Sequence, residues 1–170
     1  MIVGRQTPIH RAVYSSQENL LNLYIDHDYE SFHADFNLQD QDGQSVFSIA
    51  LWMNMLNVAK KLLDKDLANL TIKDTEQTPL LAQAIMKENV PAALFLLEQQ
   101  VDVNEKTNDR YPIQLAVQFH LPSVVEALCR HGAMMNVFDE NENSVLWNAL
   151  DAGQEDIATI LVKYGCDSTE

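Results

Sequence analysis

Apolar residues along this chain fall into short stripes separated by polar stretches, and the stripes come in pairs. Between Tyr111 and Asn136 the sequence reads YPIQLAVQFHLPSVVEALCRHGAMMN. Apolar residues at spacings of one, three and four fit two short helices, each with one buried face. Similar pairs recur. Thr7–Ser15 is followed by Glu18–Asp26, apolar at Leu20, Leu21, Leu23, Tyr24 and Ile25. Val46–Asn54 precedes Asn57–Lys65, and Pro79–Lys87 precedes Pro91–Gln99. The last pair ends with Ile157–Tyr164. The pattern predicts an all-α repeat protein.

The pairs keep a period. Thr7-Pro8-Ile9-His10 opens the first and Ser45-Val46-Phe47-Ser48 the second. Thr78-Pro79-Leu80-Leu81, Tyr111-Pro112-Ile113-Gln114 and Ser144-Val145-Leu146-Trp147 open the rest. From Ser45 onward the step is constant, about 33 residues, and a fixed period of that size marks a stack of repeats. The boundaries are about 2–39, 40–72, 73–105, 106–138 and 139–170, forming one array over 1–170 that reads as part of a longer protein. The first step is longer than the others, and its surplus lies near Asp28–His33. The helix Pro79–Lys87 is expected to carry one extra residue. Proline and glycine agree with the scheme. Pro8, Pro79 and Pro112 fall in the first turn of a first helix, and Pro91 and Pro122 at the start of a second, where a missing N–H costs nothing. Thr7 and Thr78 stand where N-caps belong. Gly132 and Gly165 follow second helices, where a left-handed residue is wanted.

The opening tetrapeptides, the Val124-Val125-Glu126-Ala127-Leu128-Cys129 helix and the closing Gly132-Ala133-Met134-Met135-Asn136 resemble the ankyrin family, whose pattern is T-P-L-H-L-A, a second helix V-V-x-x-L-L, then G-A-D-V-N. The resemblance implies an ankyrin-repeat solenoid of about five helix-turn-helix repeats joined by β-hairpin-like turns. It also implies a structural role for His10, bonding backbone between repeats, and a position between repeats for Trp147. In that fold the exposed first-helix positions come seven and eight residues after the threonine. Those positions are Tyr14 and Ser15, Trp52 and Met53, Ile85 and Met86, Gln118 and Phe119, and Asp151 and Ala152. The resulting concave groove would bind a partner through Tyr14, Trp52, Met53, Met86 and Phe119. Hairpin tips at Gln41, Asp42, Asp74, Asn108, Arg110 and Glu140 would form its rim, acidic on balance. An apolar stripe with a polar rim is an interface signature.

Charge narrows the partners. Eleven basic against 25 acidic residues leave a net charge of −14. That repels nucleic acid and anionic membrane surfaces and favours basic or amphipathic protein partners. Two cysteines, Cys129 and Cys166, suit a reducing, cytoplasmic setting and read as small buried residues. No apolar run reaches membrane-spanning length. No catalytic motif is present, so an enzyme is not expected, and no cofactor is implied. His27, Asp28, Glu30, His33 and Asp35 crowd the insertion, but their spacing matches no zinc site. Asp40-Gln41-Asp42-Gly43 resembles the start of a calcium loop and lacks the later oxygen ligands, position twelve being Leu51. No metal site is therefore expected.

Within the ankyrin family, the run from Thr78 to His120 and the following HGAMMNVFDENENSVLWNALDAGQEDIATILVKYGCD resemble the arrays of the rabankyrin family. These are early-endosomal Rab effectors with BTB and FYVE domains, and neither domain is present in this chain. The resemblance implies a role in endocytosis and macropinocytosis and an early-endosomal location through the parent protein. The implied partner is a Rab GTPase or a peptide from an endosomal sorting complex, with no direct membrane contact from this segment. A monomer is expected. A structural spacer is the alternative role. Leu96 and Asp102-Val103-Asn104 also have the spacing of ankyrin asparagines that are hydroxylated, which makes Asn104 the candidate for modification.

Overall fold

The computed structural model describes residues 7–27 and 35–166. Among them are ten α-helices in five pairs. The pairs are α1 (Pro8–Tyr14) with α2 (Glu18–His27), α3 (Val46–Trp52) with α4 (Leu56–Asp64), α5 (Leu80–Met86) with α6 (Val90–Glu98), α7 (Pro112–Gln118) with α8 (Pro122–Arg130), and α9 (Val145–Asp151) with α10 (Glu155–Lys163). The chain divides into two compact units, Met1–Leu80 and Leu81–Glu170. Helices of seven to ten residues are too short to be stable alone in water, so burial must hold them. In the first unit Leu21, Ile25, Phe47, Ile49, Leu51 and Leu62 are fully buried; in the second, Ile85, Leu96, Leu97, Ile113 and Leu128. Each such side chain contributes about 1.5–3 kcal/mol.

Local chemistry sets where the helices begin. Thr7, Ser45 and Ser144 cap α1, α3 and α9, each accepting the backbone N–H three residues on. His10 does what the sequence implied. Its Nδ1 accepts from Thr7 and its Nε2 lies 3.0 Å from the Leu38 carbonyl and 3.2 Å from that of Gln44. Two carbonyls facing Nε2 require the proton there. The fully buried ring thereby ties α1 to the second hairpin.

The turn inside each pair is invariant. The second helix starts ten residues after the first in all five pairs. Each first helix ends in a Schellman motif, in which Gln17, Met55, Asn89, Leu121 and Gln154 donate to the carbonyls of Ala12, Ala50, Ala84, Ala116 and Ala149. The left-handed residue of that motif is Ser16, Asn54, Glu88, His120 or Gly153. Met55, Asn89, Leu121 and Gln154 also serve as N-caps of the second helices, so one residue closes one helix and opens the next. Such a tight junction leaves no room for an insertion.

Length variation is confined to the hairpins. The first helices begin at Pro8, Val46, Leu80, Pro112 and Val145. The expected constant step therefore fails at α5, which starts one position late, and is restored at α7. The segments joining α4 to α5, α6 to α7 and α8 to α9 are 65–79, 99–111 and 131–144, no two of equal length. This corrects the register of the third repeat. α5 begins at Leu80, so Pro79 precedes it, and with seven residues, Leu80–Met86, the helix carries no extra residue relative to the other first helices. The reason is the alanine position. With Thr78 as cap, Gln83 would occupy the place held by Ala12, Ala50, Ala116 and Ala149; the one-residue shift puts Ala84 there. The same shift turns Ile85, expected at the surface, fully inward.

Three hairpins share one construction. The Oδ1 of Asp40, Asp74 and Asp139 accepts the backbone N–H groups two and four residues on. The fourth hairpin has Thr107 instead, and it turns through Asn108 and Asp109, both left-handed, between mutual Thr107–Arg110 bonds. That is the two-residue type I′ turn. The Thr107 Oγ1, buried without a partner, marks where the carboxylate is missing. In the first unit two hairpins come very close at Gly43, which has φ +75°. A Cβ there would lie 2.6 Å from the Thr75 nitrogen and 2.8 Å from the Asp74 carbonyl carbon.

Candidate functional site: first helices and hairpin tips

In the first unit Tyr14 is 40% and Met53 41% exposed. Tyr14 is not a free anchor. Its hydroxyl donates to Asp40 Oδ2 at 2.7 Å, and burial together with that carboxylate holds its pKa well above the ordinary phenol value. Trp52 is half-buried, and its indole Nε1–H donates to Gln44 Oε1 at 2.9 Å. It therefore lies along the hairpin instead of standing into solvent. Gln41 and Asp42 are exposed. Asp74, expected at a tip for partner contact, is half-buried and spends Oδ1 on the N–H groups of Glu76 and Thr78.

In the second unit Met86 is 42% exposed and Phe119, the C-cap of α7, is half-buried. Asn108 and Arg110 are exposed on the short hairpin, and Glu140 is exposed on the next one. Arg110 and Glu140 both line a cleft of about 280 Å³, together with Val117, Val145 and Ala152 and the polar Gln114, Gln118, Asn148 and Gln154. Met86 and Phe119 do not line it. Within this lining Arg110 Nη1 donates to Gln118 Oε1. The Gln44–Trp52 and Arg110–Gln118 links have the same eight-residue spacing, from hairpin end to exposed helix position. That spacing is the signal sequence reasoning missed. Asp139 is fully committed: Oδ1 accepts two backbone N–H groups and Oδ2 the Asn148 amide. The bond from Asn143 leads the set that holds its carboxyl below the usual range.

Other expectations resolve plainly. Trp147, expected between repeats, is 49% exposed. Asn104 Oδ1 accepts the Met134 N–H of the next hairpin at 2.9 Å, while its own N–H goes to Asp102 Oδ1. Cys129 and Cys166 are buried and not joined in a disulfide, and burial pushes the Cys129 pKa up to about 11. The insertion residues Asp28, Glu30 and His33 lie outside the described residues. Among those described, no cluster of three or more His, Cys, Asp or Glu could hold a metal ion. None of the described helices is long and apolar enough to cross a membrane.

The family model for ankyrin repeats (three copies) matches residues 9–107 and 81–170. The chain belongs to the ankyrin-repeat family. Its ten helices are five ankyrin helix pairs, a non-catalytic fold built for binding proteins. The chain is 40% identical over 169 residues to human (Homo sapiens) Rabankyrin-5, an alignment covering 92% of this chain and 14% of that protein. Rabankyrin-5 of Mus musculus is 39% identical over 134 residues, covering 77% and 11%. The B-cell lymphoma 3 protein homolog of Mus musculus is 27% identical over 169 residues, covering 96% and 37%. The chain thus spans well under half the length of these curated relatives. The crystal structure of the ankyrin repeat domain of Bcl-3 superimposes with a TM-score of 0.79 at 26% identity, covering 96% of this chain and 72% of that one.

Proposed function

We propose that this ankyrin array is a protein–protein interaction module of an endosomal trafficking protein of the Rab-effector type. It docks a partner peptide or domain on its first helices and hairpin tips. The observation that carries the reading is a repeated register. Tyr14, Met53 and Met86 stand seven or eight residues beyond their helix N-cap positions and remain 40–42% exposed. Core packing would not hold large apolar side chains outward at the same end of successive first helices, whereas an interface uses them. The likeness to Rabankyrin-5 supports the endosomal setting, with a Rab GTPase or a sorting-complex peptide as partner and the parent protein supplying the location.

The test is direct binding of the purified chain to a panel of GTP-loaded Rab GTPases and sorting-complex peptides. A Met53→Ala/Met86→Ala variant with unchanged melting temperature serves as the comparison. A partner bound by the wild type and weakened at least tenfold in the variant supports the reading, since such anchors cost about 1–2 kcal/mol or more when truncated. The spacer role draws support from the half-buried Trp52 and Phe119. It wins if nothing in the panel binds and the parent protein works with an unrelated array of equal length. Asn104 is the residue proposed for asparagine hydroxylation. Treatment with the hydroxylase should add one oxygen to the peptide containing it, and an unmodified peptide would remove that assignment.

A further inference from the structure

The cleft in the second unit holds two charges of opposite sign that no described residue neutralises. The Arg110 guanidinium has five N–H donors and meets only the neutral carboxamide of Gln118. Glu140 receives no hydrogen bond and forms no ion pair among the described residues. The third charged group, Asp139, has both oxygens occupied within its own repeat. Arg110 enters from the tight turn before α7 and Glu140 from the loop before α9, so the two charges reach one cleft from successive hairpins.

We propose that this cleft binds a peptide segment presenting one acidic and one basic side chain together. The acid pairs with Arg110, displacing Gln118, and the base pairs with Glu140 while its methylene stem lies on Val145 and Ala152. The inference rests on the interaction-module reading and names the chemistry of the partner at this one place. Three observations favour a segment of mixed charge. A purely acidic peptide meets the field of a chain with net charge −14. A purely basic one is opposed by Arg110 at the cleft itself. The cavity, about 280 Å³, is below the usual range for a drug-sized ligand but admits side chains from an extended peptide. Arginine also suits the acidic partner, because its planar fork takes a carboxylate through two parallel bonds.

The experiment titrates the full ¹⁵N-labelled chain with short acetylated and amidated peptides. The probes contain Glu and Lys separated by one or two alanines, in both orders. Controls carry Glu alone, Lys alone or neither. Exposed ion pairs each change affinity a few-fold, so the best mixed-charge peptide should bind about threefold tighter than either single-charge control and about tenfold tighter than the control with neither charge. Saturable shifts should centre on the amides of Arg110, Asn141 and Asn148. Glu140→Lys and Arg110→Glu should each abolish the preference. The double variant should prefer the peptide of opposite order. Equal binding of the single-charge peptides overturns the proposal, as does the absence of saturable shifts at these amides, the result expected if Arg110 and Glu140 simply pair with each other in solution. Neither result touches the test of the interaction-module reading, whose variant residues Met53 and Met86 lie outside the cleft.

Discussion

Replacing Gly43 by alanine should destabilise the first unit far more than its chemistry suggests. Two costs add. At φ +75° an alanine sits in the left-handed region, a penalty of about 1–2 kcal/mol reduced by the backbone entropy that glycine loses on folding. The new Cβ also meets backbone, 2.6 Å from the Thr75 nitrogen and 2.8 Å from the Asp74 Cα. Backbone cannot rotate away as a side chain can, so the two hairpins must separate by roughly 0.8 Å to reach ordinary contact. Gln39 links those hairpins, donating to the Gly43 carbonyl at 2.7 Å and the Lys73 carbonyl at 2.6 Å, and separation strains both bonds. Overpacking of this kind costs about 1–3 kcal/mol, which brings the expected total to about 2–3 kcal/mol. The control is Gly153→Ala, with φ +68° and nothing within 4 Å of the added Cβ, so only the backbone penalty of about 1 kcal/mol or less remains. The chain's two tryptophans allow each unit to be read by itself: with Trp147→Phe as background, Trp52 fluorescence reports urea unfolding of the first unit for Gly43→Ala, and with Trp52→Phe as background, Trp147 fluorescence reports that of the second unit for Gly153→Ala. Equal losses for Gly43→Ala and Gly153→Ala would refute the argument, because the close approach would then cost nothing.

Three further expectations follow from the same geometry. Asn104→Ala removes the acceptor of the Met134 N–H and should cost about 1 kcal/mol in denaturant titration, with faster hydrogen exchange at that amide. Cys129 has a thiol pKa raised from 9.0 to about 11, so its contribution is complete below pH 9 and is lost as pH rises toward 11. Stability measured across that window should fall by at most about 1.4 kcal/mol per pH unit from this group, and Cys129→Ala should flatten the slope. Asp139 has a lowered pKa, so its contribution is present above the ordinary carboxylate value of 3.8 and lost below it. Asp139→Asn should lower the melting temperature at pH 7 and make the acid transition shallower, whereas an unchanged acid profile would show that the loop does not depend on the charge.

The helix pairs were legible in the sequence because everything that makes them is local. A cap, a buried alanine three residues before the helix C-cap and a left-handed residue after it lie within about ten positions. The packed turn allows no insertion, so the motif repeats without slippage. Ala12, Ala50, Ala84, Ala116 and Ala149 carry the true register, and they would have placed α5 correctly where Thr78-Pro79 misled. The hairpins were not legible in the same way. Their tips face solvent and absorb one residue more or less without disturbing the core, so the unequal segments 65–79, 99–111 and 131–144 serve the same fold. The left-handed turns at Glu88, His120 and Gln100 were also hidden, because packing imposes there a backbone conformation that those residue types do not announce.

The sequence by itself determined the number of helix pairs, their family and the alternation of buried and surface positions, since hydrophobic periodicity and capping act over a few residues. Only the tertiary structure decided which polar groups remain available. Asp74 looks like a rim carboxylate in the sequence but is engaged by its own loop, as Asp139 is by its loop, while Arg110 and Glu140 share a cleft and neither has its charge neutralised there. Whether a charge is spent or available depends on backbone donors brought to it by the fold, and residue type alone does not carry that information.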